Sequence, residues 1–170
     1  MLIKLIRNKA NGSAITGRLV IDGRWFCNTL ERKGYEILAL CYHVSVTMSP
    51  KFKRLLPLVT GVPSSVESCR IVEDGVELSS AEKTMLNHST QPLHKATPCA
   101  MRTGIRFHRG SKPEHSTGCI LVPADKETQL TNLILKTQNE HEEVILEVTD
   151  YKPGTEYGYN HPCERELQKR

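Results

Sequence analysis

Along the first third of the chain, apolar positions alternate with polar ones, and this period of two predicts strands. Residues 2–7 form a short apolar run that ends before the Asn11-Gly12 turn. From residue 15, Ile15, Leu19 and Ile21 fall on one side and Thr16, Arg18 and Val20 on the other, the signature of a half-buried strand. Asp22-Gly23 follows at once. That pair suits a two-residue hairpin turn, whose two positions both need positive φ. Residues 24–31, with Trp25, Phe26, Cys27 and Leu30, then form the return strand, and Glu31 stands at its end.

Further on, residues 38–47 are β-branched and aromatic and predict a strand stopped by Ser49-Pro50. Residues 51–58 read as one helical turn or a loop, because Pro57 forbids a long helix. The texture then changes. Residues 64–103 read as an inserted or lid-like segment, with a hairpin at Asp74-Gly75 and a capping box, Ser79-Ser80-Ala81-Glu82, opening a short helix to about His88. Strand character resumes at 104–107 and again at 118–122. A helix is expected over 126–138, with Leu130, Leu133 and Ile134 forming its buried stripe. Residues 143–149 alternate again and are expected to close the sheet, and 151–170 read as a polar C-terminal tail. The fold class this predicts is mainly β, a β-rich α+β single domain over 1–150. It combines mixed or antiparallel sheets with one principal helix.

Composition adds limits rather than a function. The 170 residues carry 23 basic and 19 acidic side chains, a net charge of +4. The basic residues are scattered, and three Phe, one Trp and five Tyr are too few for a basic, aromatic nucleic-acid surface. No apolar run reaches the roughly 18 residues of a membrane span. Lys4 and Arg7 interrupt the apolar N-terminus, so a secretory signal is not expected, and synthesis in the cytoplasm is. The six cysteines lack any CxxC spacing, which argues against a dense disulfide framework and leaves one or two bridges, Cys69–Cys99 for instance.

One stretch carries candidate chemistry. Phe107-His108 ends an apolar run, residues 109–117 form a polar loop, and Gly118-Cys119 opens the next apolar run. Adjacent strand ends would bring the imidazole toward the sulfur, where it takes the thiol proton and the resulting ion pair lowers the thiol pKa. The amides of Gly118 and Cys119 would face a developing oxyanion. Against this stands a plainer alternative in which Gly-Cys-Ile-Leu-Val is core strand and Cys119 only packs.

His108-x-Gly110, followed by Ser116-x-Gly118-Cys119-Ile120, resembles the active-site signature of the L,D-transpeptidase catalytic domain. A longer set of residues resembles a bacterial family of unknown function from Bacteroidetes and phages. That set comprises Gly17-Arg18, Phe26 to Glu31, Ser49-Pro50-Lys51-Phe52, Leu56-Pro57-Leu58, Val62-Pro63, Gly104 to His108 and Gly118 to Val122. The first resemblance implies an L,D-transpeptidase-like fold and cysteine-dependent acyl transfer or hydrolysis on peptidoglycan stem peptides, without a cofactor. It assigns Cys119 as nucleophile, His108 as general base, Ser116 as the hydroxyl of the signature and Gly118 to the oxyanion site. Arg106, Arg109, His115 and Thr117 are candidates for substrate contact. Thr117 stands where those enzymes carry His, and Leu121 where they carry Arg or Asn; Arg106, Arg109 or Lys112 is the expected replacement. The phage context implies delivery to a target cell wall or the periplasm, with an immunity or delivery-apparatus protein as partner.

Two other classes remain open at this stage. His108, His115 and Cys119 offer three ligands for a zinc ion, and a non-catalytic module that binds cell wall or a phage or secretion-apparatus component needs no nucleophile. His88 and His94 read as solvated surface, and Arg18 and Arg106 as partners of acids within the sheet or of a ligand.

Overall fold

The computed structural model describes residues 1–64, 71–73, 76–78 and 101–151. These hold strands β1 (Leu2–Arg7), β2 (Ala14–Ile21), β3 (Arg24–Arg32), β4 (Cys41–Ser49), β5 (Arg54–Thr60), β6 (Val62–Pro63), β7 (Ile71–Glu73), β8 (Val76–Leu78), β9 (Met101–Arg102), β10 (Phe107–Arg109), β11 (Ile120–Val122) and β12 (Ile145–Thr149), with one α-helix, α1 (Ala124–Asn139). Eight strands form one mixed sheet in the order β10-β11-β3-β2-β1-β12-β4-β5. Its two outermost strands meet, because Leu58 bridges to Arg106 and the Val59 N–H donates to the Ile105 carbonyl at 2.9 Å. The sheet thereby curls almost into a barrel, and the fold is mainly β.

The local reasons are those of the sequence pattern in most elements. Asp22 and Gly23 have φ of 46° and 80°, the conformation a two-residue hairpin turn demands, and β2 buries Ile15 and Leu19 while Thr16 faces solvent. The core joins Ile3 and Leu5 of β1, Leu19, Tyr42, Val44, Phe107, Leu146 and Val148 to Leu130 and Ile134 of α1. No helix among the described residues is long and apolar enough to cross a membrane.

Three expectations are corrected. Residues 54–60 form a strand rather than a helical turn or loop. Pro57 is tolerated because it shares the parity of Val59, whose N–H points away from β4 to Ile105. The donor that proline lacks is thus one that β4 never needs. In α1, Leu133 is 39% exposed. The buried face runs instead through Glu127, Leu130, Thr131, Ile134 and Thr137, which keeps the 3.6-residue period but rotates the stripe away from Leu133. Finally, β12 lies inside the sheet, parallel to β1 and antiparallel to β4.

The ends of the 64–103 segment come together: Val62 pairs with Arg102 and Pro63 with Met101. Within it, β7 and β8 pair antiparallel, Glu73 opposite Val76, and the expected Asp74-Gly75 turn lies outside the described residues. The short helix expected to His88, the Cys69–Cys99 pair, His94 and the tail from residue 152 lie outside the described residues. Cys41 is disulfide-bonded, whereas Cys27 and Cys119 carry free thiols.

Candidate active site

Parallel pairing of β10 with β11 sets Phe107 opposite Ile120 and His108 opposite Leu121. Side chains two apart on a strand share a face, so Leu121 lies on the face of His108 and Arg106, while Cys119 stands just ahead of β11 with its Sγ against the Gly104 carbonyl of the segment leading into β10. Phe107 and Ile120 point the other way, into the core. This separates the two roles that the sequence left mixed: Ile105, Phe107, Ile120 and Val122 join the core, and His108 stands with Leu121 on the opposite face.

The geometry defines the imidazole tautomer. His108 Nδ1 lies 2.9 Å from the Arg109 carbonyl. A carbonyl only accepts, so Nδ1 carries the proton and Nε2 the lone pair. The ring is also packed against Phe52, centroid to centroid 4.6 Å. Burial lowers the His108 pKa below the usual imidazole value, with Lys51 and Arg54 pushing the same way and Glu127 and the Arg109 carbonyl opposing them. Cys119 is half-buried, and its S–H donates to the Gly104 carbonyl at 3.7 Å. Burial raises its pKa, although the Arg106 N–H and the charges of Lys51, Arg106 and Arg102 pull it down. Both directions favour the uncharged forms, thiol and imidazole, over an ion pair between them.

The loop before the cysteine is held by Ser116. Its Oγ accepts from the Gly118 N–H at 3.0 Å and donates to the Cys119 carbonyl at 2.6 Å. The Gly118 N–H is therefore committed and does not face an oxyanion as expected. The Cys119 N–H has no acceptor among the described residues. Gly118 is required for another reason. Its φ is +127°, and a Cβ there would overlap the Arg102 guanidinium and come within 3.0 Å of Ile105 Cδ1. Gly118→Ala is expected to destabilise the protein by about 1–3 kcal/mol, seen as a melting temperature lower by several degrees in a calorimetric scan.

The arginines named from the sequence are already occupied. Arg106, 6% exposed, donates to the Thr47 and Leu56 carbonyls, the Thr47 hydroxyl and the Met48 carbonyl at 2.8–3.3 Å. It buttresses the β4–β5 hairpin rather than pairing with an acid. Arg109 Nη2 pairs with Glu127 at 2.8 Å. His115 is exposed at the end of a 3₁₀ turn, Pro113–His115, and Thr117 contributes its carbonyl to Arg102 at 2.9 Å. Lys112 is exposed in the same loop. Among the described residues, no three His, Cys, Asp or Glu side chains are close enough to hold one metal ion. His108, His115 and Cys119 therefore do not make the three-ligand zinc site.

Four contributors were missed. Lys51 and Phe52 come from the β4–β5 turn, and Arg102 donates to the Tyr35, Glu36 and Thr117 carbonyls at 2.8–3.2 Å. Glu127 accepts the Arg109 N–H at 2.6 Å and pairs with Arg54 at 2.9 Å. Burial opposes its ionisation, yet Arg109 and Arg54 hold its carboxyl below the ordinary value. Glu127 thus fixes the residue whose carbonyl orients His108. Its signal was visible: a Glu three and four residues ahead of Leu130 and Thr131 sits on the buried stripe, where a charge needs a partner. Comparison with protein-family models, with curated proteins and with solved structures gives no match.

Proposed function

We propose that the protein is a cysteine-dependent acyltransferase or hydrolase acting on peptide bonds of peptidoglycan stem peptides, similar in chemistry to L,D-transpeptidases. One observation carries the chemistry: His108, its Nδ1 held by the Arg109 carbonyl so that Nε2 keeps the lone pair, sits in β10, and the half-buried Cys119 thiol immediately precedes the paired strand β11. The substrate class rests on the His108–Cys119 signature.

In the proposed cycle the S–H leaves the Gly104 carbonyl for His108 Nε2. As the proton passes to nitrogen, sulfur attacks the amide carbon. The oxyanion forms beside the Cys119 N–H, which has no acceptor among the described residues and is a donor worth about 3 kcal/mol in the transition state. Collapse breaks the C–N bond, and the departing amine takes the proton from the imidazolium. A thioester remains on Cys119. Water or an acceptor amine then attacks the thioester carbon, giving its proton to His108. The C–S bond breaks, and the thiol is re-formed with that proton. Water yields hydrolysis and an amine yields a new peptide bond. Delivery to a target cell wall, with an immunity or delivery-apparatus partner, belongs to the same proposal.

The test is incubation of the wild-type protein with purified peptidoglycan, followed by muropeptide mass spectrometry. Shortened or newly cross-linked stem peptides are expected. A profile identical to untreated peptidoglycan would overturn the assignment and favour a binding module.

A further inference from the structure

We propose that this site selects an anionic acyl donor, one bearing a carboxylate beside the bond under attack, and that the Lys51 ammonium receives that carboxylate. The inference rests on Cys119 being the nucleophile and extends that reading to substrate charge.

Five cations stand around the thiol and the imidazole, and four are already engaged. Arg106 serves the carbonyls of β4 and β5, and Arg102 serves those of Tyr35, Glu36 and Thr117. Arg54 and Arg109 share the carboxylate of Glu127. Lys51 differs. It is exposed, has no ion pair among the described residues, and its Nζ lies 5.3 Å from the centroid of the Phe52 ring. That same ring stacks on His108 at 4.6 Å. Among the described residues this cation–π contact, weak at an exposed position, is what holds the ammonium on the ring that packs against the imidazole. A carboxylate makes a stronger, charge-assisted hydrogen bond with it. Binding one breaks no contact that the fold depends on. The charge of Lys51 also acts on both reacting groups, pulling the thiol and the imidazole toward lower pKa.

The test uses two alkylating agents that differ in charge. Iodoacetate and iodoacetamide each form a C–S bond with expulsion of iodide, one carrying a carboxylate and the other a neutral amide. Their rates at Cys119 are followed by peptide mass spectrometry, and the ratio is divided by that for N-acetylcysteine. Any change in thiol pKa affects both reagents alike and cancels. A preference for iodoacetate of about five-fold is expected for one unshielded charge at the site, falling as salt is raised. Lys51→Met should return the ratio to the free-thiol value, and Lys51→Arg should keep it. Lys9→Met, on the β1–β2 turn, removes the same net charge and should change nothing. A wild-type ratio equal to that of N-acetylcysteine, or one unaltered by Lys51→Met, would overturn the proposal. This readout requires no turnover, so an unchanged muropeptide profile would end the peptidoglycan assignment while the ratio still decides the role of Lys51.

Discussion

Cys119→Ala is expected to remove all conversion of peptidoglycan, a loss of about four orders of magnitude or more in kcat/KM, with the fold intact. No second thiol can substitute among the described residues. Cys27 is buried, and desolvation pushes its pKa up to about 11, while Cys41 is in a disulfide. His108→Gln should cost nearly as much, and the double variant no more than either, because nucleophile and base act as one unit and their losses do not add. Muropeptide rates for the three variants give this comparison directly. Additive losses would show that His108 and Cys119 work separately.

The same pair sets the pH dependence. The proposed cycle needs neutral His108, and burial holds its pKa below the ordinary value. The acid limb of kcat/KM is therefore expected below about pH 6.5, the value of a free imidazole. Stability follows the same sign. As pH falls, the unfolded chain takes up this proton before the folded one does. The contribution of His108 is complete above about pH 6.5 and declines below it. A wild-type acid limb above neutrality would contradict both statements.

The second large effect concerns stability. Arg7 and Glu31 form a bidentate pair, Nε–Oε2 at 2.8 Å and Nη2–Oε1 at 2.7 Å, with both side chains 2% exposed. The guanidinium also donates to the Ile37 carbonyl at 2.8 Å and to Asp150 at 2.9 Å. It thus ties β1 to β3, to the chain leading into β4 and to the end of β12. Arg7→Met is expected to cost about 3–5 kcal/mol, because it leaves a carboxylate buried without its partner. Arg7→Met with Glu31→Leu should cost much less, since then no charge is stranded. Urea unfolding of the three variants measures the difference.

The single variant has a pH signature. Burial pushes the Glu31 carboxyl up, and the Arg7 guanidinium is what pulls it back. Burial keeps the Glu31 pKa above its ordinary value even with Arg7 in place; without Arg7 it rises further above the unfolded value near 4.3, so the folded state binds the proton more tightly. The deficit relative to wild type should shrink as pH falls toward 4 and be fully expressed near neutrality. A deficit independent of pH would mean that Glu31 is not the stranded group.

How much of this was legible in the chain depends on how far the deciding partner lies along it. The β2–β3 hairpin, the alternating burial of β2 and the existence of α1 follow from neighbours a few residues apart, whose period and turn chemistry are local properties. The candidate nucleophile and base were legible for the same reason: His108 ends one apolar run and Cys119 starts the next. What surrounds them was not. Lys51, Phe52, Arg102 and Glu127 reach the site from β4–β5, β9 and α1, and it is sheet curling and the Leu58–Arg106 bridge that bring these elements together.

Tertiary structure also decided what the local pattern left open. Pro57 became part of a strand because its missing N–H faces away from β4. Leu133 turned outward because Glu127 had to stay with Arg54 and Arg109 on the buried side of α1. Arg106 and Arg109, charged and close to the thiol in sequence, were spent on carbonyls and on Glu127. The protonation states of Cys119 and His108 belong to this level as well. Burial sets them, and burial is a sum over the whole fold that no window of sequence contains. Sequence alone placed His108 and Cys119 at the ends of neighbouring apolar runs; packing decided how far each is buried and, among the described residues, that Lys51 is the nearby cation without an ion pair.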